Sequence, residues 1–173
     1  RKGTSVTKSN AMRHSMVFWD RVFQEVAAEY PDIRTNSLLV DAASMNLVRS
    51  PEAFDVIVAS NLFGDILSDI AAQVSGSMGL APSGNINPER RFPSAFEPVH
   101  GSAPDITGRG IANPMAAILS AAMMLDHLGE AQAAAEIRTA VETTLAQGRL
   151  LTPDLGGAAA TSQVGDEIAR LVG

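Results

Sequence analysis

DVIVASNLFGDILSD, residues 55–69, changes its backbone form partway along. It opens as a short apolar strand, turns at Ser60 and Asn61, and continues as a helix bearing Asp65 and Asp69. Side chains at i and i+4 lie just over one helical turn apart, so both carboxylates project from one face. Stacked like charges repel unless a positive centre sits between them. Hard divalent ions such as Mg²⁺ or Mn²⁺ take oxygen ligands of this kind. Two solvated acids on an exposed helix would show the same spacing. Placement decides between these readings, because open α/β sheets collect ligands at the carboxyl ends of their strands, and this helix follows such an end. The pair is read as a metal site.

The same alternation runs outward towards the start of the chain. Residues 4–7 read as a strand leading into Lys8, and Ser9 or Asn10 suits the cap of the next helix. Met12, Met16, Trp19, Phe23, Val26 and Tyr30 recur at three- and four-residue steps, one apolar stripe that faces a core or a partner. Pro31 stops that helix. Residues 37–42 read as a second strand, ending at Asp41, followed by a short helix through Met45 and Val48. The rhythm is β-α-β-α-β-α, which specifies an α/β sheet with crossover helices and parallel strands.

Beyond Ser75 the texture changes. Gly, Pro, Ser and Asn dominate up to Asn113, giving strands and long loops with a domain crossover near Gly76. Asn113 then serves as an N-cap with Pro114 at the first helical position, and the helix runs to Leu128 before Gly129. A second helix over 130–147 closes at Gly148. Pro153 and the Gly156-Gly157 pair mark a loop, and a last helix starts at Thr161, whose hydroxyl suits an N-cap.

Composition narrows the function classes. Of 173 residues, 46% are apolar and 18% charged, as in an ordinary globular chain with a core. A net charge of −6 without a basic cluster argues against nucleic acid as a partner. The absence of cysteine removes disulfides, thiolate metal sites and cysteine nucleophiles. No apolar run reaches the length of a membrane span and no signal peptide is visible, so a cytoplasmic location is expected.

Three groups of residues could carry chemistry. Asp41, at the end of its own strand, would bring a third carboxylate to Asp65 and Asp69 and leave room for substrate oxygens on an octahedral ion. An N-cap or a surface acid would look the same at Asp41. Lys8 ends a strand, with hydroxyl and amide neighbours rather than acidic pairing partners, and a lysine beside a cation is disposed to accept a proton. A plain surface lysine reads identically. The third group is the loop over 97–113, EPVHGSAPDITGRGIAN. Its Gly101, Ser102 and Ala103 let a backbone approach a flat ligand, His100 can stack or hydrogen-bond, and Asp105 could accept bonds from a ribose diol while repelling a 2′-phosphate. A G-x-G-x-x-G fingerprint is absent, so an ordinary Rossmann site is excluded, and a structural loop remains an equal reading of these residues.

Taken together, TSVTKSN at 4–10, SNLFGDILSD at 60–69 and EPVHGSAPDITGRGIANP at 97–114 resemble the isocitrate/isopropylmalate dehydrogenases, the metal-dependent β-decarboxylating dehydrogenases. The likeness covers essentially the whole chain. Within the family, APSGNINPERRFPSAFEPVHG at 81–101 looks most like the tartrate and D-malate dehydrogenase branch. The resemblance implies that Asp65 and Asp69 bind Mg²⁺ or Mn²⁺ with Asp41 of a neighbouring subunit, and that Lys8 is the catalytic lysine of a homodimer with shared sites. It implies that Asn10 lies near the nicotinamide, and that His100, Asp105, Ile106 and Asn113 form the adenosine pocket, where an Asp-Ile pair goes with NAD.

The implied reaction oxidises a 2-hydroxy acid such as D-malate or tartrate, and the metal then assists loss of the β-carboxylate. 3-Isopropylmalate dehydrogenase and a non-catalytic NAD- and metal-binding module are the alternatives. The resemblance reaches only the later half of the family's length. The expected architecture is therefore an isopropylmalate dehydrogenase-like α/β sheet, incomplete because the N-terminal half is missing. Residues 1–76 would belong to the small domain with the dimer and metal site, and 77–173 to the large cofactor-binding domain. Apolar surface is expected to stand exposed, and residues 12–30 to contribute to the dimer face or to a core.

Overall fold

A computed structural model describes residues 1–173, which divide into two compact units, Arg1–Val74 and Ser75–Gly173. The first unit is built on strands β1 (Lys2–Thr7), β2 (Arg34–Leu39) and β3 (Val56–Val58), with helices α1 (Ser15–Ala28), α2 (Val40–Arg49) and α3 (Asn61–Val74). The strand order is β2-β1-β3 and both pairings are parallel, as the alternation of strand and helix requires. In register, Gly3 lies opposite Thr35 and Val56, and Ser5 opposite Ser37 and Val58. Strand residues alternate between faces, so these share one side of the sheet and Thr4, Val6, Leu38 and Ile57 the other.

Val6 packs with Ala43 and Leu47 of α2 and with Phe63 and Leu67 of α3. On the opposite side, Trp19 of α1 donates its indole N–H to Ser5 Oγ at 2.9 Å. Further along, Phe23, Val26, Tyr30 and Ile33 line an apolar groove of about 300 Å³ with Val56 and Val58. The stripe along α1 is thus a core face at Met16 and Trp19, while Val26 and Tyr30 are exposed.

Two expectations beside the candidate residues do not hold. Ser9 and Asn10 do not cap α1. Ala11 and Met12 turn their N–H groups onto the Lys8 carbonyl at 2.9 and 2.8 Å, and the helix begins only at Ser15. Asp41 does not end a strand. Leu39 is the last extended residue (φ −67°, ψ 145°), and Asp41 falls in the first turn of α2, where free N–H groups and the helix dipole favour an acid.

The second unit combines an antiparallel ribbon, β4 (Pro82–Asn85) with β5 (Ala95–Pro98), and helices α4 (Met115–Leu128), α5 (Ala131–Gln147) and α6 (Thr161–Val172). Gly84 lies opposite Phe96, and a Cβ there would stand 3.1 Å from the ring, so glycine lets the aromatic lie across the ribbon. Gly129 and Gly148 close α4 and α5 at φ +97° and +63°, a left-handed conformation in which glycine avoids the Cβ penalty. Met115 of α4, Ala140 and Val141 of α5, and Val164 and Ile168 of α6 form the core of this unit.

Thr161 is not a cap. Its hydroxyl donates to the Ala112 carbonyl at 2.6 Å and its N–H to Gly110 O at 2.8 Å, while Gln163 Oε1 takes the Ala160 N–H. No helix is long and apolar enough to cross a membrane.

Candidate functional site

Helix α3 holds its place by burying Phe63 and Leu67, which leaves the other side of the cylinder to Asp65 and Asp69. Both acids are exposed, and neither enters an ion pair. Two unpaired carboxylates one turn apart form a hard-oxygen donor pair, and this chemistry fits Mg²⁺ or Mn²⁺. Within one chain the pair stays a pair, because no three His, Asp or Glu side chains converge on a point where Asp41 would complete the set.

Asp41 is engaged elsewhere. Lys8 Nζ donates to its Oδ1 at 2.9 Å, an ion pair between the end of β1 and the first turn of α2. The expectation that Lys8 has no acidic neighbour is therefore corrected. Residue 41 is remote in sequence, but parallel pairing of β1 with β2 aligns Thr7 with Leu39, and Lys8, one residue beyond its strand, meets Asp41, two residues beyond the other. The Lys8 hydrogen bond, assisted by the Asp41 backbone N–H, holds the Asp41 carboxyl below its ordinary value. Asn10 lies exposed in the turn after Lys8.

In the second unit the loop that follows β5 winds through a short 3-10 turn, Pro104–Ile106, entered by Ala103 in the left-handed region at φ +43°. His100 Nδ1 lies 3.0 Å from the Gly101 carbonyl oxygen. Gly101, Ser102, Ala103 and Asp105 are exposed, Ile106 is half-buried, and the Asp105 carboxylate has no ion-pair partner. An exposed run of small residues ending in a free carboxylate fits a dinucleotide ribose.

Asn113 behaves differently from the rest of the loop. It is 9% exposed, its Oδ1 accepts the Met115 N–H at 3.0 Å, and its Nδ2 donates to Asp154 at 3.0 Å. Asp154 and Ser77 were not singled out from sequence. Both carry only turn-forming signals, and their partners lie far along the chain.

The apolar residues that α2 and α3 leave in solvent were also missed as a group. Met45 and Val48 are each 65% exposed, and Leu62 and Ile66 are 62% and 47% exposed. Helical spacing revealed which residues share a face but not which face lacked a neighbour.

A family model described as isocitrate/isopropylmalate dehydrogenase matches residues 1–168. A probable tartrate dehydrogenase/decarboxylase of Agrobacterium vitis is 56% identical over 169 residues, covering 98% of this chain and 47% of that protein. The decarboxylating D-malate dehydrogenase of Escherichia coli is 51% identical over 174 residues, covering 98% of this chain and 48% of that protein. Among solved structures, isocitrate dehydrogenase from Methylococcus capsulatus superposes with a TM-score of 0.94 at 45% identity, over 99% of this chain and 50% of that one. The chain spans about half the length of the curated relatives it matches. With the family model matching residues 1–168 and relatives more than half identical across nearly all of its length, the chain belongs to the isocitrate/isopropylmalate dehydrogenase family, in its tartrate/D-malate dehydrogenase branch.

Proposed function

We propose that this chain supplies the metal- and dinucleotide-binding part of an NAD-dependent enzyme that oxidises and decarboxylates a 2-hydroxy acid such as D-malate or tartrate. The observation that carries this reading is the unpaired Asp65–Asp69 pair on one face of α3, in a unit that also holds Lys8 against Asp41. When bound, a divalent cation would supply Lewis acidity at the substrate oxygens and NAD would accept the hydride. The chain's own residues bind, orient and move a proton. Asp65 and Asp69 donate carboxylate oxygens from one helix face, Asp105 and Ile106 favour an unphosphorylated ribose, and Asn10 takes the nicotinamide role that the family resemblance implies.

Lys8 is the proton carrier in this reading. Asp41 Oδ1 accepts from its Nζ at 2.9 Å and orients the ammonium that would exchange a proton with substrate.

The cation's third carboxylate is proposed to come from Asp41 of a second copy. Met45 and Val48 on α2, and Leu62 and Ile66 on α3, stand exposed on the same two helices that carry these acids. Burying such side chains in a symmetric pair stabilises association, and helices that carry acids as well as apolar residues would bring one copy's Asp41 to the other's Asp65 and Asp69.

The test is turnover. This chain is set in place of the corresponding half of the Agrobacterium vitis relative, and NADH formation is followed with Mn²⁺ and D-malate, tartrate, 3-isopropylmalate or isocitrate. NADH and CO₂ from D-malate or tartrate are expected. A folded, dimeric hybrid that turns over none of the four contradicts the proposal, and one that prefers 3-isopropylmalate reassigns the substrate.

A further inference from the structure

Residues 151–159 form a turn closed by its own backbone hydrogen bonds. The N–H groups of Leu155 and Gly157 close on the Thr152 carbonyl at 3.0 and 3.1 Å, that of Gly156 on Pro153 at 3.0 Å, and that of Ala159 on Leu151 at 2.9 Å. A Cβ at Gly157 would stand 1.9 Å from the Leu151 carbonyl oxygen, so only glycine allows the chain to cross itself here.

This turn presents Asp154. Its Oδ2 accepts from Ser77 Oγ at 2.5 Å and from Asn113 Nδ2 at 3.0 Å. Ser77 Oγ in turn accepts the Gly79 N–H, and Asn113 Oδ1 the Met115 N–H, each at 3.0 Å. The segments touch: a Cβ on Gly79 would meet Asn113 Cβ at 2.7 Å and Asp154 Oδ2 at 2.8 Å. One carboxylate oxygen thereby joins the approach to β4, the end of the 97–113 loop and the turn before α6. Ser77 is 5% exposed and Asn113 9%, so losing the acceptor would strand both donors away from water, and each stranded donor carries a desolvation cost.

We propose that Asp154 is a positioning residue of the dinucleotide site, fixing through Asn113 the end of the 97–113 loop against the start of α4. The inference rests on the reading of that loop as the dinucleotide-binding segment. Asn113 is engaged at both ends of its amide and turned inward, so it serves by where it holds the chain. Thr161 latches the same limb a few residues earlier, at Gly110 and Ala112. Between these restraints and β5, the residues that would meet the ligand stand exposed on a loop whose end is tied down by hydrogen bonds. Binding to a segment ordered in advance avoids much of the entropy cost of ordering it.

The experiment titrates NAD, and separately Mn²⁺, into the protein and its Asp154→Ala and Asp154→Asn variants by calorimetry. Amide hydrogen exchange at Met115 and Gly79 is followed in parallel. Asp154→Ala is expected to weaken NAD roughly tenfold or more, to speed exchange at both amides, and to leave Mn²⁺ affinity unchanged. The amide oxygen of Asp154→Asn can take the place of Oδ2 and accept both bonds, so its NAD affinity is expected within about threefold of the parent.

Unchanged NAD affinity in Asp154→Ala, with exchange accelerated, overturns the positioning role and leaves the dinucleotide reading standing. Equal loss of NAD and Mn²⁺ affinity overturns it in favour of general unfolding. An unsubstituted protein that does not bind NAD overturns both readings. Should Asp154→Ala fail to fold, Ser77→Ala removes a single donor: weaker NAD binding with a native circular dichroism spectrum supports the role, and parent affinity overturns it.

Discussion

Asp65, Asp69 and Asp154 are the same side chain in two different situations. The first two face water from one side of a helix, whereas the third is met by donors from Ser77 and Asn113. Unpaired hard-oxygen donors remain available to a cation, so Asp65→Asn is expected to weaken Mn²⁺ binding by about tenfold or more while NAD affinity stays level in the same calorimetric series. Asp105→Lys exchanges a diol acceptor for a phosphate partner, and NADP should then bind better than NAD; an unaltered preference would remove Asp105 from the ribose site.

Asp154 also makes a pH prediction. Burial pushes its carboxyl up, but hydrogen bonding from Ser77, Thr152, Asn113 and its own backbone N–H together outweighs burial and holds it below its ordinary 3.8. A depressed folded value stabilises the protein above the unfolded value, and this contribution is lost as the pH falls through the folded one. Denaturant melts across the acid range should therefore show falling stability, with a shallower fall in Asp154→Asn. Of these residues, the pair on α3 was legible because its spacing is local. Asp154 was not, because the positions that give it meaning are brought to it only by the fold.

At the scale of elements, period was readable and limits were less so. The strand-helix alternation before residue 75 and the glycine stops at 129 and 148 all correspond to observed elements, since each is encoded within one turn or one strand. The start of α1 and the end of β2 shifted because competing hydrogen bonds settled them: the Lys8 carbonyl took the N–H groups that Ser9 and Asn10 would have introduced into a helix. Thr161 was a good cap by type and became a latch because the Gly110–Ala112 carbonyls lay within its reach.

Glycines show the same contrast between local and tertiary demand. Gly165 lies within α6 with open space where a Cβ would go, so Gly165→Ala should be neutral or stabilising by about 0.5–1 kcal/mol on helix propensity. Gly157→Ala forces a Cβ into the Leu151 carbonyl, and a loss of roughly 3 kcal/mol or more is expected. Urea melts of the two variants side by side test the pair, and equal stabilities would contradict the crossing described for the 151–159 turn.

The whole molecule carries two units, each with its own core, and each leaves apolar surface in solvent: Phe18 is 57% and Tyr30 56% exposed in the first unit, and Phe92 is 74% exposed in the second. Exposed material on this scale is what a sequence predicts least well, because hydrophobic periodicity does not say which stripe meets a neighbour. The central proposal places a cation between Asp65 and Asp69 of one copy and Asp41 of another, and a mixing experiment addresses it without reference to turnover. Asp41→Asn and Asp65→Asn proteins are prepared separately, denatured together, refolded as a mixture and titrated with Mn²⁺. If the acids act across copies, each variant alone binds weakly, and the mixture regains tight sites, roughly a quarter of the parent number for random pairing in a two-fold dimer. A folded, dimeric mixture that regains none would mean the three carboxylates do not share a cation across copies, and the shared metal site would be contradicted.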